Sequence, residues 1–184
     1  SILQSTIEAY PDLPDDELAE DIKASLEVAR QRNERLNRFM RNFAQVVRLP
    51  KAERQRLDLN SLMRNIHQLM LPQAEQQQTR LSLDLPEAPP YFHADEQQLE
   101  QALVNMVKNA LESLEQGGEV ILQLQPSPLQ LTVLDNGPGL SPEFKESWDT
   151  PFFSTKAGGQ GIGMTLIREI SRQHHGHVEL ETME

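Results

Sequence analysis

The sequence predicts an α+β fold. A two-layer α/β sandwich, with a mixed sheet packed on helices, follows an N-terminal α-helical hairpin of a dimeric four-helix bundle. Three observations predict it. A helical stretch with a seven-residue apolar repeat fills Asp15 to Arg48. Beyond Pro50 the pattern changes to short alternating runs separated by helical ones. Three segments rich in asparagine or glycine then follow, one within a helix, one after a strand and one opening a helix. They are Asn105-Met106-Val107-Lys108-Asn109-Ala110, Asp135-Asn136-Gly137-Pro138-Gly139-Leu140 and Gly158-Gly159-Gln160-Gly161-Ile162-Gly163.

Composition bounds the answer. At 184 residues the chain can build one good domain and an accessory element, and 38% hydrophobic residues suffice for a packed core. Cysteine is absent, which excludes a disulfide scaffold and thiolate zinc sites and fits a reducing, cytoplasmic compartment. A net charge of -11 argues against nucleic acid as a partner. No apolar run approaches the roughly 20 residues of a membrane span. The chain begins at Ser1 rather than methionine, so it reads as a fragment whose parent could carry a membrane anchor upstream.

The elements follow in order. Residues 1–10 read as the end of a helix, and Pro11-Asp12-Leu13-Pro14 as a turn. The long helix starts acidic and turns basic from Arg30 onward, which suits the helix macrodipole at both ends. Ile22, Leu26, Ala29, Asn33, Leu36, Met40, Phe43 and Val47 step alternately by four and three, a heptad seam with one polar member. So long a stripe exceeds what a short neighbour could cover, hence the paired hairpins. Residues 1–50 thus form a partial dimerisation hairpin and 51–184 a second domain. A short strand is expected at 56–58, then a helix from Asn60 that Pro72 kinks or divides. Leu81, Leu83 and Leu85 alternate as a strand, and Asp95 caps a helix running to Glu115. Gly117-Gly118 ends that helix. Strands at Val120–Leu124 and Leu129–Val133 deliver Asp135 to the sheet edge. Residues 136–160 have no period and read as a lid. A helix over 161–175 and a strand over 177–181 complete the chain.

Each chemical segment is weak alone. Asn105 and Asn109 share a helix face, and an asparagine carbonyl can ligate Mg2+, yet two ordinary polar positions explain them equally well. Asp135 at a strand end could accept the amine of adenine, though Asp-Asn-Gly and Pro-Gly are also ordinary turns. Successive glycines opening a helix expose N–H groups to an anion, or simply hinge a lid. Lys156 adds a charge beside them, or is a solvated lysine. The segment is neither a P-loop nor a dinucleotide fingerprint, since it lacks Gly-Lys-Ser/Thr and follows a long loop.

Together, in this order, the segments resemble the motifs of the sensor histidine kinases, within the ATPase superfamily shared with gyrase, Hsp90 and MutL. Gln101–Ala110 resembles the N box, Asp135–Leu140 the G1 box, Pro151-Phe152-Phe153-Ser154-Thr155-Lys156 the F box and Gly159–Gly163 the G2 box. The resemblance covers roughly Leu57 onward, and the long helix resembles the second helix of that family's dimerisation domain. It implies a Bergerat-type ATP-binding fold, with ATP and Mg2+ as cofactors. Asn109 would bind Mg2+ beside Asn105, and Asp135 would read the adenine amine. Gly137 and Gly139 would shape that pocket, while Phe152 and Phe153 anchor the lid. Gly159, Gly161 and Gly163 would face the phosphates. Thr155, Lys156, Ile162 and Met164 fall in the same implied nucleotide contacts, with Asn105, Asn109 and Lys156 as the implied catalytic group.

The implied function is a two-component kinase core. It would pass the γ-phosphoryl group of ATP to a histidine on the dimerisation domain, for relay to an aspartate of a response regulator. The partners would be that regulator and a second copy through the N-terminal helices. The parent would be cytoplasmic, or the cytoplasmic part of an inner-membrane sensor. Three departures stand out. None of the 5 histidines has the acceptor context of an acidic residue and a nearby Asn-Pro, so that histidine is expected upstream of Ser1. A strand usual after Glu181 is missing, so the C-terminal side of the domain reads as truncated. His177 replaces a glycine common after Gly176. Gyrase-type clamp ATPases carry a glutamate where this chain has Asn105, which favours transfer over hydrolysis. A degenerate kinase acting only as a dimerisation module is the other alternative, and intact Asn109, Asp135 and glycines oppose it.

Overall fold

The computed structural model describes residues 15–47, 49–114, 117–155 and 161–182. The chain divides into two compact units, Ser1–Val47 and Arg48–Glu184. The first helix of the expected hairpin, and the Pro11–Pro14 turn, lie outside the described residues.

In the first unit one helix, α1, runs over Asp15–Val47 without an internal proline or glycine. Its surface is laced by Arg30, which pairs with Glu27 at 2.6 Å and with Glu34 one turn on. Hydrogen bonds from Arg30 and then Gln31 hold the Glu27 carboxyl down at about 2. The stripe predicted from the heptad is open in the single chain: Leu26, Leu36 and Met40 are each more than half exposed (53%, 58% and 54%). The last turn of α1 carries no cation of its own, and Arg48, which follows it, lies outside the described residues.

The second unit contains, among the described residues, β1 (Gln55–Asp58), α2 (Leu59–Gln76), β2 (Arg80–Asp84), β3 (Tyr91–Ala94), α3 (Glu96–Ser113), β4 (Glu119–Pro126), β5 (Leu129–Asp135), α4 (Pro142–Ser147) and α5 (Ile162–Gln173). A mixed three-stranded sheet has the order β2-β4-β5, with β2 parallel and β5 antiparallel to β4. β1 and β3 form a separate antiparallel pair. Alternation on β4 buries Val120, Leu122 and Leu124. Leu62, Met63 and Ile66 of α2, Leu103, Val107 and Leu111 of α3, and Leu166 and Ile170 of α5 bury the helical faces. Each such side chain contributes about 1.5–3 kcal/mol. Helices on a mixed sheet are the predicted α+β layering.

Caps begin both long helices of this unit. Asp58 accepts from Ser61 N and Asp95 from Gln98 N. Asp95 is held in turn by buried His174: its backbone N–H donates to His174 Nε2 at 3.0 Å. His174 Nδ1 lies 2.8 Å from the Ile170 carbonyl, so the imidazole carries its hydrogen on Nδ1. This ring joins the end of α5 to the start of α3. It is structural, whereas the sequence reads the five histidines as structural or surface residues.

The structure departs from the sequence pattern at four places. Pro72 does not divide its helix, because α2 continues through it to Gln76. Buried Met70 and Ala74 on either side offset the one missing backbone bond. Leu69, at helical spacing with Leu62, Ile66 and Met70, is nevertheless 57% exposed, and Met63 is buried instead. Tyr91–Ala94 is a strand, registered against β1. Residues 177–181 join no ladder among the described residues, since the strand pattern there finds no neighbour to pair with.

Candidate functional site

The three chemical segments meet along one face of α3. Asn105, Asn109 and Ser113 stand at successive four-residue steps on this helix, so their side chains form one row. The first two meet the start of α5 and the third meets the end of β5.

At the first step, Asn105 Nδ2 donates to the Gln101 carbonyl at 2.7 Å. Its oxygen lies against Gly163, where an added Cβ would sit 3.3 Å away. The amide nitrogen is therefore committed, and the oxygen faces the backbone of Gly163. At the second step, Asn109 Nδ2 donates to the Met164 sulfur at 3.6 Å. Both contacts come from the first turn of α5. That turn opens at Gly161 in the left-handed region, φ +62°. A Cβ on Gly161 would strike the backbone of Phe152 and Phe153. Only glycine fits there, and the F-box backbone is thereby pressed against the helix start.

At the third step, Ser113 Oγ lies 3.1 Å from Asp135 Oδ1, which also accepts from Gly137 N at 3.0 Å. Asp135 ends β5, opposite Val120. The next residue, Asn136, is structural: its Oδ1 accepts from Glu119 N at 2.8 Å. Gly139, with φ +77°, faces the C-terminal segment, where an added Cβ would meet Thr182 at 2.9 Å.

The lid begins with a helix that the sequence reading missed. Ser141 caps α4 by accepting from Phe144 N, with Pro142 at its start. The Ser-Pro-Glu signal was available in the sequence. Phe153 packs on Phe144, ring centroids 6.1 Å apart. Phe152 N donates to Thr165 Oγ1 at 3.0 Å. Ile162 is core, with 5% exposed, so only its backbone is available to a ligand. Thr155 is exposed. Lys156 and Gly159 lie outside the described residues. Beside the Gly139 turn a cleft of about 440 Å³ is lined by Leu140, Lys145, Trp148, Leu180, Glu181 and Thr182. None of these except Leu140 belongs to the four motifs, and neither Asn109 nor Asp135 lines the cleft. Ser113 was also missed, although its place as third member of the 105–109–113 row could have marked it.

Residues 94–184 match the family described as histidine kinase-, DNA gyrase B- and HSP90-like ATPases. The sensor histidine kinase ZraS of Escherichia coli (strain K12) is 29% identical over 153 residues, covering 82% of this chain and 33% of its own. The chain carries a histidine kinase catalytic domain. The sensory histidine kinase/phosphatase NtrB of Escherichia coli O157:H7 is 36% identical over 114 residues, 54% of this chain and 32% of its own. The kinase domain shares its fold with the catalytic domain of the histidine kinase ThkA, at a TM-score of 0.60 and 26% identity over 65% of this chain and 82% of that one. Full-length ShkA in complex with AMPPNP aligns at a TM-score of 0.67 and 23% identity, covering 82% of this chain and 34% of its own. The chain spans about a third of the length of the curated relatives it matches (33% and 32%). No helix among the described residues is long and apolar enough to cross a membrane.

Proposed function

We propose that this chain is the kinase core of a two-component sensor. It binds ATP with Mg2+ and passes the γ-phosphoryl group to a histidine on the dimerisation domain, for relay to a response-regulator aspartate. The observation that carries the reading is the row Asn105–Asn109–Ser113. It puts the metal-binding candidate Asn109 one turn, about 6 Å along the axis, from Ser113, whose hydroxyl meets the adenine-reading candidate Asp135 at the end of β5. Asp135 accepts the adenine amine, Asn109 offers an amide oxygen to Mg2+, and the N–H groups of the first turn of α5 face the phosphates.

The donor set suits Mg2+, which takes one or two protein oxygens and leaves its other positions to phosphate and water. When bound, Mg2+ neutralises charge on the phosphates. The chain's own part is positioning: α3 fixes the base and metal ends, and α5 the phosphate end. The bond from the γ-phosphorus to the β,γ-bridging oxygen breaks as that to an imidazole nitrogen forms, and ADP leaves. A homodimer through α1 would present the acceptor helix.

The residue type at position 105 opposes the clamp-ATPase alternative. A carboxamide has no basic group, so Asn105 cannot take a proton from water as a glutamate would. Titration with ADP and ATP, with and without Mg2+, tests the reading. Binding strengthened by Mg2+ is expected, with slow hydrolysis and no label from γ-labelled ATP on the 5 histidines present. No nucleotide binding, or acid-labile label on one of those histidines, would overturn it.

A further inference from the structure

The Ser113 hydroxyl carries information that the four motifs do not. It sits 2.7 Å from the Ala110 carbonyl, one turn back on α3, and 3.1 Å from Asp135 Oδ1. Its single hydrogen is shared between these two acceptors. The carbonyl contact pins the serine from within its own helix, so the hydroxyl is in place before any ligand arrives.

The consequence falls on Asp135. Its Oδ1 receives two donors, Ser113 Oγ and Gly137 N. Two donors on one oxygen fix the rotation of the carboxylate and occupy that oxygen. Oδ2 makes no recorded hydrogen bond among the described residues, and it is the oxygen left for a ligand. Gly137 supports the arrangement independently. A Cβ there would sit 2.7 Å from Asp135 Oδ1 and 2.8 Å from Ser113 Oγ, too close to both. The glycine thus keeps open the space in which serine and aspartate meet.

We infer that Ser113 is a positioning residue that holds Asp135 with Oδ2 alone presented to the ligand, and so sets selectivity for purines bearing a 6-amino group. The inference rests on the nucleotide reading of the site. A carboxylate oxygen accepts from the exocyclic amine of adenine and repels the O6 oxygen of hypoxanthine or guanine. Discrimination of this kind is sharp only if the carboxylate cannot swing aside or bring in water. Without the hydroxyl, one of the two restraints on the carboxylate is gone.

The test is calorimetric titration of the whole chain with ADP, inosine diphosphate and guanosine diphosphate. The wild-type protein should prefer ADP. Ser113→Ala should weaken ADP by about 10- to 150-fold, the range for one hydrogen bond to a charged group. It should weaken inosine diphosphate much less, so the preference ratio falls. Ser113→Thr keeps the hydroxyl and should restore the ratio. Gly137→Ala disturbs the same contact from the other side and should also lower the ratio, which guards against misfolding of one variant. Equal loss for all three nucleotides, or an unchanged ratio in both variants, overturns the role of Ser113 while leaving the nucleotide site intact. A wild-type chain that binds no ADP sinks the nucleotide reading, and this inference with it.

Discussion

Asn109 donates its amide hydrogen to the sulfur of Met164, 3.6 Å away. The amide nitrogen is thereby turned to α5, and the oxygen occupies the other side of the plane. Asn105 has no such freedom, because its oxygen faces Gly163. This division of labour makes a prediction about the metal. Asn109→Ala should remove most of the Mg2+ enhancement of ATP affinity, a loss on the order of 10-fold or more, corresponding to about 1–3 kcal/mol for an unmatched polar partner. Affinity measured without Mg2+ should change little. Asn105→Ala should leave the Mg2+ enhancement largely in place. Titration with and without chelator distinguishes the two, and an equal effect of both substitutions would contradict the assignment.

Asp135→Asn should weaken nucleotide binding more severely than Asn105→Ala. The carboxylate accepts from Ser113 and Gly137 on one oxygen and would accept adenine on the other. An asparagine must place an NH2 where one of these acceptors stood, mismatching a donor with a donor. The expected loss is about 1–3 kcal/mol, roughly 5- to 150-fold in Kd. Calorimetry showing unchanged ADP affinity would remove Asp135 from the base pocket.

Much of this site was readable in the sequence because motif residues and structural punctuation coincide. Asp95 reads as a helix cap and is one. Asp135 reads as the end of a strand and is one. The 3.6-residue period puts Val107, Ala110 and Leu111 in the core, and that burial orients Asn105 and Asn109. What escaped the reading depends on long-range pairing. Tyr91–Ala94 is too short to show a period, and it becomes a strand only because β1, 33 or more residues earlier, supplies a ladder. The contact of Ser113 with Asp135 spans 22 residues and exists because β5 ends beside α3. Residues 177–181 show the opposite failure, an alternating pattern without a partner strand among the described residues. Pro72 shows that local chemistry can be outvoted by burial on both sides of it.

Gly161→Ala should be the most damaging single methyl in the lid hinge. The residue has φ +62°, and its Cβ would enter the backbone of Phe152 and Phe153. Left-handed strain alone costs about 1–2 kcal/mol, and the clash displaces the segment that Phe152 N anchors to Thr165 at 3.0 Å. Denaturant unfolding should show a loss of at least that size, with nucleotide affinity reduced in parallel. Gly163→Ala is the milder comparison, because its Cβ would meet only the Asn105 side chain at 3.3 Å. Equal stability of the two variants would count against the hinge geometry.

Trp148 is the single tryptophan and lines the cleft beside Leu140 and Thr182. The Arg168 guanidinium stands over its ring, 5.7 Å from the centroid. Arg168 also donates to the Asp149 carbonyl, so α5 holds this end of α4 through one side chain. Nucleotide that engages the first turn of α5 should shift that contact. The tryptophan emission should therefore change on adding ADP, and the change should shrink in Arg168→Ala while ADP still binds. An emission spectrum indifferent to saturating ADP would separate the cleft from the nucleotide site.

The last prediction concerns α1, whose apolar stripe the single chain leaves open. Leu26, Leu36 and Met40 are all more than half exposed. Covering such surface contributes roughly 25 cal/mol per Å² of apolar area, and isolated exposed leucines at heptad spacing have few other uses. A second copy offers the matching stripe by symmetry. Asn33, a polar member of the row, would fix the register at some cost in stability. Its Oδ1 lies within 3.4 Å of Asn37 Nδ2 on the same helix, so the amide is partly satisfied before any partner arrives. The chain should therefore sediment as a dimer at high micromolar concentration. Leu36→Lys with Phe43→Lys should give monomers, because each pair of facing lysines would bury two unpaired charges. These monomers should bind ADP as the parent does, since α1 and the nucleotide site belong to different compact units. A monomeric parent chain would refute the dimer, and loss of ADP binding in the double variant would refute the independence of the two units.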